Sequence, residues 1–470
     1  MSTLAWVAET AGGKLVGGNV GFDSVSTDTR SIEPGQLFVA LRGVRHDAAG
    51  FVVTAAERGA AAAIVETVQP LPLPQVVVPD AGKALQDVAA AWRQRFQIPV
   101  LGVTGSNGKT TLKEMMSAIM RAHVRQPGDD GGVLATWGNL NNHVGVPITL
   151  LWLRDSHRAA VIEMGASGRR EIALLTRIAR PTVGVITNAG PAHLAGFGGT
   201  ISDVAEGKGE LFMSLSPGAV AVVNRDDSFH DYWRGLRQDL AYRSFGLSPA
   251  ADFRAVDVAG GNGEGLRFRI VSPVGDVAVT LPMAGGHNVQ NALAAAAATT
   301  AAGATLAAVR DGLAGMANVK GRLKAEPGPG GCTIYDDSYN ANPGSVAAAI
   351  HFLVGLGGQR WLVLGDMAEL GPDEVELHRE IGKLAARSGI DRFYCVGPLA
   401  RHAAEAFGPR AHWAADVFTL AEVIRPGLTR DVRLLVKGSR SAGLERLVKA
   451  LNTEAEDQTD AGISSAGGVH

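Results

Sequence analysis

Cysteine is scarce in this sequence, and there is no marked excess of charge of either sign. The 470 residues contain two cysteines, Cys332 and Cys395, each inside an apolar run. Two cysteines cannot build a disulfide framework, and no metal-type Cys/His spacing surrounds them, so we expect buried thiols. Lys and Arg number 44, against 46 Asp and Glu. This balance argues against a nucleic-acid-binding protein and against a dominant acidic tail.

Long hydrophobic runs are also missing. No uninterrupted apolar stretch reaches about 18 residues, so no membrane insertion is expected. The N-terminus lacks the cationic start and apolar block that are typical of a signal peptide. Hydrophobic residues make up 46% of the chain and charged residues 19%, so most of it can bury a core. The sequence therefore predicts a cytoplasmic α/β protein of roughly two to four domains.

The order of strand and helix patterns divides the chain into three units and a tail. Residues 1–95 alternate short strands and helices, which predicts a small α/β domain. Residues 96–318 predict a central domain with a mostly parallel sheet. Residues 319–452 repeat strand and helix in a Rossmann-like, doubly wound pattern. Residues 453–470 lack apolar periodicity, which predicts a disordered tail.

Within the central unit, three segments have distinct patterns. The Met-rich stretch after residue 109 has helical spacing and is expected to pack in the core. Residues 252–282 alternate apolar and polar side chains, which predicts a set of antiparallel hairpins. The Ala-rich stretch 288–303 is predicted to be a long helix.

A glycine-rich loop lies near the start of the central unit. Residues 104–111 read TGSNGKTT, between a predicted strand and a predicted helix. Glycines let backbone N–H groups surround phosphate oxygens, and a helix N-terminus favours their charge. Lys109 is placed for the β- and γ-phosphates of ATP, and Thr110 for Mg²⁺. The strict pattern has Gly where Val103 stands, so a turn without function is the alternative. The expected ATP contacts here are Gly105, Ser106, Asn107, Gly108, Lys109, Thr110 and Thr111.

The loop and the motifs after it resemble the Mur ligases, which are ATP-dependent amide-bond ligases of peptidoglycan synthesis. The other matching strings are GNLNN (138–142), VIEMGAS (161–167), NAGPAHL (188–194) and YNANP (339–343). GNLNN and YNANP are most similar to the branch that adds D-alanyl-D-alanine to UDP-N-acetylmuramoyl-tripeptide. The resemblance implies an ADP-forming ligase with an acyl-phosphate intermediate. It implies a UDP-binding first domain, a P-loop-type central domain and a Rossmann-like C-terminal domain.

The same resemblance implies the catalytic groups. Glu163 and His193 match family residues that bind two Mg²⁺ ions, and Lys208 matches a lysine that is carbamylated in several members. A structural histidine and an ordinary phosphate-binding lysine remain the alternatives. Gly207 and Gly209 flank Lys208 and are expected to leave room for a larger side chain. The expected catalytic residues are Lys109, Glu163, His193, Lys208 and Arg322. The expected metal ligands are Thr110, Glu163, His193 and Lys208 as its carbamate.

Substrate contacts follow from the matching motifs. On the ATP side they are Asn291 for adenine, which is alternatively a helix cap, Arg322 for the γ-phosphate and Asp337 for ribose. For the UDP-muramoyl-peptide they are Ser26, Asp28, Thr29, Arg30, Gly43, Thr136, Asn139, Asn141 and Asn142. For the dipeptide they are Asn340, Asn342, Lys437, Ser439 and Arg440. Arg170 stands where the family more often has glycine, so the turn there is expected to differ.

Other readings of the sequence remain open. A different Mur ligase or a folylpolyglutamate synthetase would share the loop, but GNLNN and YNANP argue against both. A P-loop kinase or transport ATPase would more often have an apolar strand that ends in Asp, which binds Mg²⁺. Here that strand ends in Glu163. A nucleotide-binding module without activity would not need the other catalytic groups. We expect a monomer, and the third residue of the peptide stays open between diaminopimelate and lysine.

Overall fold

Three β-sheets follow one another along the chain, one in each predicted unit. The structure is a computed structural model that describes residues 1–43, 48–125, 132–260, 265–316 and 321–452. The sheets have five, nine and six strands, and a separate two-stranded ribbon lies at the N-terminus. This arrangement confirms the α/β fold class. The exact domain boundaries stay a prediction, and the predicted tail at 453–470 lies outside the described residues.

The first sheet has the strand order β2-β7-β6-β5-β4 and is parallel except for the β2–β7 pair. Its elements, with the ribbon strands β1 and β3, are β1 (Ser2–Thr3), α1 (Leu4–Ala11), β2 (Lys14–Val16), β3 (Gly21–Phe22), β4 (Val25–Ser26), β5 (Leu37–Val39), α2 (Val52–Glu57), β6 (Ala62–Val65), β7 (Gln75–Val77) and α3 (Ala81–Arg93). The Asp80 side chain caps α3 by accepting from the Lys83 N–H. At the other end of α3, the Trp92 indole N–H donates to the Leu153 carbonyl at 3.2 Å. The helix therefore fastens the first sheet to the central one.

The central sheet carries the predicted phosphate-binding loop. Its elements are β8 (Val100–Thr104), α4 (Lys109–Val124), β9 (Val133–Ala135), α5 (Gly145–Leu151), β10 (Ala159–Glu163), α6 (Glu171–Ala179), β11 (Val183–Ile186), α7 (Leu194–Phe197), α8 (Ile201–Ser214), β12 (Val220–Asn224), α9 (His230–Gly235), β13 (Ala241–Gly246), β14 (Phe253–Gly260), β15 (Leu266–Ser272), β16 (Gly275–Leu281), α10 (His287–Ala301) and α11 (Leu306–Ala314). The strand order is β16-β15-β14-β13-β12-β11-β8-β10-β9. Strands β8 to β14 form parallel pairs, and β14, β15 and β16 pair antiparallel, which confirms the predicted hairpins. The carboxyl ends of β8, β10 and β11 meet at one edge, where ligands of such sheets bind.

The third sheet has the order β17-β18-β22-β19-β20-β21, and all pairs except β17–β18 are parallel. Its elements are β17 (Lys324–Pro327), β18 (Thr333–Asp337), α12 (Pro343–Val354), β19 (Gln359–Gly365), α13 (Glu374–Arg387), β20 (Arg392–Val396), α14 (Ala400–Phe407), β21 (Ala411–Ala414), α15 (Val417–Ile424) and β22 (Val432–Lys437). Strands β18 and β22 are neighbours, so the residues that follow them emerge side by side. This pairing brings YNANP and the segment after Lys437 to one place.

Apolar packing agrees with the sequence patterns. The methionines of α4 are fully buried between the central sheet and helices α10 and α11, and both cysteines are buried. In the described part of the chain, no helix is long and apolar enough to cross a bilayer. Strand β13 was not predicted, because it carries Tyr242, Arg243 and Ser244 in a row. Arg170 adopts φ +68°, so arginine occupies a left-handed position that glycine takes more readily.

Candidate active site

The glycine-rich loop is held in shape by the segment that follows β11. The Ser106 N–H donates to the Asn188 carbonyl at 3.0 Å, and its hydroxyl bonds to Gly190. The Asn107 N–H donates to Asn188 Oδ1 at 2.9 Å, and Thr187 Oγ1 donates to the Asn107 carbonyl at 2.7 Å. The loop is therefore fixed by protein contacts before a nucleotide arrives. Sequence reasoning assigned no role to Thr187 and Asn188, although both stand at a strand end beside a matched motif.

Two glycines of the loop occupy positions that no other residue fits. Gly105 has φ +143°, and a Cβ added there would lie 1.8 Å from Thr187 Oγ1. Gly108 has φ +83°, and its Cβ would lie 2.7 Å from Asn291 Oδ1. Both values are below any normal contact distance. The loop consequently packs directly against β11 and α10, which is how Asn291 comes beside it.

We expect Gly108→Ala to raise the KM for ATP by at least about tenfold. The added methyl group would push Asn291 away from the loop, in addition to the left-handed strain of about 1–2 kcal/mol. Gly303→Ala is the matched control, since Gly303 has φ +96° and nothing within 4 Å of its Cβ position. The measurement is steady-state kinetics together with thermal unfolding of both variants. An equal KM for the two variants would contradict the close packing of Asn291.

Two cationic side chains lie at the phosphate side of the loop. Lys109 Nζ donates to the Gly105 carbonyl at 2.6 Å and to the Ser106 carbonyl at 3.2 Å. Burial lowers the pKa of Lys109, and nearby Glu163 opposes that shift. Arg322 reaches in from the third unit, and its guanidinium donates to Thr110 Oγ1 at 3.2 Å. These cations surround the place where the helix dipole of α4 favours phosphate.

Glu163 ends β10 and is buried. Its Oε1 accepts from Asn141 Nδ2 at 2.8 Å, and its N–H donates to Thr136 Oγ1 at 2.9 Å. Its Oε2 is buried with no hydrogen-bond partner among the described residues. A buried carboxylate oxygen without a partner is costly unless a cation binds it, so this oxygen fits a metal ligand. Thr136 is buried behind Glu163 rather than facing the cleft, so its contact with substrate stays a prediction without geometric support.

His193 lines the same cavity as Glu163. It has φ +55°, a conformation that is strained for a residue other than glycine. Its Nδ1 contacts the carboxylate of Glu369 from the third unit. Burial lowers the pKa of His193, while Glu369 opposes that shift. A neutral imidazole is the form that can bind a metal ion.

Lys208 is buried on α8, and its Nζ lies 4.6 Å from the centre of the Phe197 ring. Burial, with a smaller contribution from Lys109, lowers its pKa to about 7. The flanking glycines serve packing, because a Cβ on Gly207 would lie 2.2 Å from the Phe197 ring. The expectation that they leave room for a modified lysine is therefore wrong for Gly207, and Gly209 packs likewise against Leu236 at 2.9 Å.

No three His, Cys, Asp or Glu side chains in the described ranges cluster closely enough to hold a metal ion by themselves. The expected ligands still fit Mg²⁺, because Glu163 offers a buried free oxygen and Thr110 a hydroxyl. Phosphate oxygens and water usually complete the coordination of Mg²⁺ in such sites. The donor set of the protein alone is incomplete, which makes metal binding dependent on the nucleotide.

The loop after β18 connects the third sheet to the phosphate-binding loop. The Asn342 side chain caps α12 through Ser345, and its Nδ2 donates to Asn107 Oδ1 at 2.8 Å. Lys437 at the end of β22 donates to Asp337 Oδ2 at 2.6 Å and to the Asn340 carbonyl at 3.1 Å. Asn342 thus contacts the phosphate-binding loop and also lines the larger cavity, and its role on the dipeptide side stays a prediction. Lys437 and Asp337 neutralise each other in a buried pair.

Two adjoining cavities collect most of the predicted residues. The first, of about 620 Å³, is lined by predicted residues Ser106, Asn107, Gly108, Lys109, Thr110, Asn139, Asn141, Asn142, Glu163, His193, Arg322, Asn340, Asn342, Lys437, Ser439 and Arg440. The second, of about 430 Å³, is lined by predicted residues Asn107, Gly108, Thr111, Asn291, Arg322, Asp337 and Lys437. The predicted adenine and ribose contacts therefore lie together, apart from the predicted metal and peptide contacts.

The predicted contacts in the first unit lie elsewhere and line neither cavity: Ser26, Asp28, Thr29, Arg30 and Gly43. The Asp28 carboxylate pairs with the Arg30 guanidinium at 2.6 Å, and Arg30 lowers the pKa of Asp28. The Ser26 hydroxyl accepts from the Asp28 N–H at 3.2 Å. Ser26 is the last residue of β4, the next three residues of the set follow that strand, and Gly43 follows β5 at the end of a described segment. Their role in binding UDP stays a prediction.

Comparisons with known proteins agree with this geometry. The family model described as the Mur ligase middle domain matches residues 103–299. The model described as the Mur ligase, glutamate ligase domain matches residues 321–440. The UDP-N-acetylmuramoyl-tripeptide--D-alanyl-D-alanine ligase of Escherichia coli (strain K12) is 39% identical, and the match covers 96% of this chain and 98% of that protein. The chain belongs to the Mur ligase family.

Other relatives of this Mur ligase show the same pattern. The Bacillus subtilis (strain 168) enzyme of the same description is 35% identical, over 91% of this chain and 92% of that protein. A crystal structure of MurF from Acinetobacter baumannii superposes with a TM-score of 0.88 at 33% identity, covering 96% of this chain and 98% of that one. MurF ligase from Thermotoga maritima, solved in complex with ADP, gives 0.81 at 27% identity, covering 93% and 98%. The mostly parallel, multidomain fold is thus that of the family.

Proposed function

We propose that this Mur ligase joins D-alanyl-D-alanine to UDP-N-acetylmuramoyl-tripeptide and converts ATP to ADP and phosphate. The relatives above carry the name of that activity over nearly their whole length. The observation that carries the proposal is the contact of the third unit with the phosphate-binding loop. Arg322 reaches Thr110 and Asn342 reaches Asn107, so the γ-phosphate end of ATP opens into the larger cavity.

The chemistry begins with transfer of the γ-phosphoryl group to the terminal carboxylate of the tripeptide. A carboxylate oxygen attacks phosphorus, the bond to the β-phosphate oxygen breaks, and ADP leaves. Lys109 and Arg322 stabilise the charge of the transferring group, and the α4 N-terminus supports the phosphates. The free amine of the dipeptide then attacks the acyl carbon and displaces phosphate. The protein mainly positions the reactants and limits the access of water to the acyl phosphate.

Glu163, His193 and Thr110 are the residues that would hold Mg²⁺ in this reaction. The metal, when bound, neutralises charge on the phosphate oxygens and orients them. Two ions need more anionic oxygen than Glu163 supplies, and this need supports a carbamate on Lys208. The neutral amine would attack CO₂, form an N–C bond and release one proton, giving a carboxylate-like group. A lysine with its pKa lowered to about 7 is neutral in about half of the molecules near pH 7.

Separation of the two cavities supports the assignment of substrate sites. The smaller cavity, with Asn291 and Asp337, suits adenine and ribose. The larger cavity takes the reacting ends of the peptide and the dipeptide. The UDP end would extend toward the first sheet. A monomeric state and a cytoplasmic location stay predictions.

One assay tests the function directly. Purified protein is mixed with ATP, Mg²⁺, UDP-N-acetylmuramoyl-tripeptide and D-alanyl-D-alanine, and each component is left out in turn. A ligase gives ADP and the pentapeptide product only when all four are present. Phosphate release with ATP alone would indicate an ATPase and contradict the proposal. Replacing the UDP-tripeptide by a folate and the dipeptide by glutamate tests for folylpolyglutamate synthesis instead.

We expect Asn340→Ala and Asn342→Ala to impair ligation more than Glu374→Ala does. Asn342 joins the α12 cap to Asn107, and the Asn340 loop supports Lys437. Glu374 lies at the start of α13 and lines neither cavity. The measurement is kcat/KM for each substrate.

Loss of the α12 cap alone costs about 1 kcal/mol, so stability needs its own control. Asn342→Ser keeps a capping side chain that is too short to reach Asn107. If Asn342→Ser is as stable as the original protein and still loses activity, the contact with the phosphate-binding loop is responsible. Equal, small effects in all these variants would mean that the loop is only a turn.

A further inference from the structure

The loop between β19 and α13 brings a carboxylate into the larger cavity. Glu369 lines this cavity, and its side chain is 62% exposed. Of the described cavity-lining residues that follow residue 320, Glu369 is the one acidic side chain. The others are polar, basic or apolar, and they include Ser439, Arg440 and Ser441. The third unit therefore offers a carboxylate and a guanidinium to the same space.

The position of Glu369 is fixed by its neighbours. Met367 and Leu370 are buried on either side, and the Met367 N–H donates to His378 Nε2 at 3.0 Å. His378 is itself buried, and its Nδ1 donates to the Glu374 carbonyl at 2.6 Å. The loop thus has apolar anchors and an internal hydrogen-bond support. Among the acidic side chains of this loop, Glu369 is the one that lines the cavity.

Backbone strain at Glu369 indicates that the side chain matters. Glu369 has φ +61°, a region that costs a residue with a Cβ about 1–2 kcal/mol. Glycine would occupy this position without that cost. Strain of this kind is concentrated at functional sites, where the surrounding structure holds it in place. Here the strained residue points a carboxylate across the cleft at His193, which is strained in the same way.

Glu369 lies at the end of the cavity where the acyl phosphate would form. Its contact, His193, lines the same cavity as Lys109 and Thr110 of the phosphate-binding loop. The loop also meets the central unit nearby, because the Cβ position of Gly371 is 3.5 Å from Ala195. The nucleophilic nitrogen of the incoming dipeptide must reach this same end. That nitrogen arrives as an ammonium group, since the dipeptide is a zwitterion at neutral pH.

We propose that Glu369 binds the ammonium group of the incoming dipeptide and so positions its nitrogen beside the acyl phosphate, where the nitrogen becomes the nucleophile after it releases one proton to solvent. The proposal rests on the proposed ligase function and assigns a residue to the recognition of its acceptor. The opposite charge of the dipeptide, its carboxylate, is left to the basic and hydroxyl side chains around Arg440. A cavity wall that places the Glu369 carboxylate and the Arg440 guanidinium in the same space favours a zwitterion over a neutral amine or a simple acid.

The first test compares Glu369→Gln with the original enzyme, using all three substrates. The KM for D-alanyl-D-alanine should rise about ten- to hundredfold, as expected for losing one charge-assisted hydrogen bond. The KM for ATP, for the UDP-tripeptide and for Mg²⁺ should change less than about twofold. Glu374→Gln, from the start of α13, is the matched control and should change none of them. A rise in the Mg²⁺ requirement with an unchanged dipeptide KM would overturn the proposal.

A second test asks whether the ammonium group is what Glu369 recognises. D-lactyl-D-alanine has a hydroxyl in place of the ammonium group and is used as a competitive inhibitor. The original enzyme should bind it more weakly than the dipeptide, and Glu369→Gln should lose most of this difference. Retention of the full difference in the variant would also overturn the proposal.

Thermal unfolding distinguishes a role of Glu369 in binding the dipeptide from a purely structural role. Glu369→Gly removes the left-handed strain, so its thermal unfolding temperature should not fall, while its dipeptide KM rises as for Glu369→Gln. A large drop in unfolding temperature, with equal losses for every substrate, would mean that Glu369 only supports the loop. If the original enzyme made no pentapeptide product at all, the proposed function would fail instead, which is a distinct outcome.

Discussion

Replacement of Lys109 by alanine is expected to lower the ligation rate by about 10²- to 10³-fold or more and to leave the fold intact. Lys109 Nζ now bonds to the carbonyls of Gly105 and Ser106, which places it within the loop that surrounds phosphate. Its positive charge would stabilise the γ-phosphoryl group mainly during the transfer of that group. Alanine keeps the start of α4, because it is the best helix former.

The effect of Lys109→Ala is measured as ADP and pentapeptide formation under saturating substrates, beside thermal unfolding. Lys83→Ala is the matched control, since Lys83 also lies in a first helical turn but is exposed and paired with Asp87. It should retain its activity. Lys109→Arg should recover little, because guanidinium keeps the charge but not the compact shape of the ammonium group. Near-normal turnover of Lys109→Ala would show that this loop is not the ATP site.

The parts of the site that were predictable from sequence are those encoded locally. The loop at 104–111 is flanked by a strand of five buried residues and a helix, so its place could be predicted without any contact information. Glu163 was identified as a strand-end residue, and it is one. Parallel strands place such ends at one edge, so proximity followed from topology.

Contacts between distant segments were not predictable, because nothing in their spacing indicates them. Thr187 and Asn188 fix the phosphate-binding loop from more than 75 residues away in sequence. Asn342 reaches Asn107 across 235 residues of sequence, which ties the loop after β18 to the phosphate-binding loop. Thr136 accepts a hydrogen bond from the Glu163 N–H, a contact that the sequence did not indicate, and its contact with substrate stays a prediction. In each case the sequence shows only a polar side chain. The segment that the side chain faces in the folded protein determines which partner it bonds to.

Backbone conformation is a second feature that could not be predicted from the sequence. Arg170 departs from the usual glycine, and its φ of +68° shows that the turn keeps the shape that favours glycine. The Arg170 N–H donates to the Glu210 carboxylate, which helps to hold the strained turn. The strain at Glu369 has no counterpart in any pattern of residue types. The fold shows it, because Glu369 and the equally strained His193 contact each other.

The second large effect is expected at Lys208. Lys208→Ala should be nearly inactive, because the metal site would lose an anionic ligand if the lysine is carbamylated. The amine is buried, and its pKa of about 7 leaves about half of it neutral near pH 7. An ordinary lysine, with a pKa of 10.5, would be neutral in fewer than about one in a thousand molecules. Burial therefore prepares this amine to react with CO₂.

The two alternatives for Lys208 predict that different small molecules restore the activity of Lys208→Ala. If a carbamate binds Mg²⁺, formate or acetate should partly restore Lys208→Ala, because either can place a carboxylate in the vacated space. If the lysine acts as a cation toward phosphate, small amines should restore it instead. Lys208→Arg distinguishes further, since it keeps a positive charge and cannot be carbamylated. It should be as inactive as Lys208→Ala in the first case and partly active in the second.

The unmodified enzyme provides a test that needs no substitution. Removal of CO₂ and bicarbonate should lower its activity, and adding bicarbonate should restore it, because the carbamate forms reversibly from the neutral amine. Lys208→Met, of similar length but without an amine, serves as the folding control and should keep the unfolding temperature. The Phe197 ring packs 4.6 Å from the amine and would pack equally against a thioether. Activity independent of bicarbonate, with rescue of Lys208→Ala by amines rather than acids, would rule out the carbamate and leave Lys208 as a buried cation beside the phosphates.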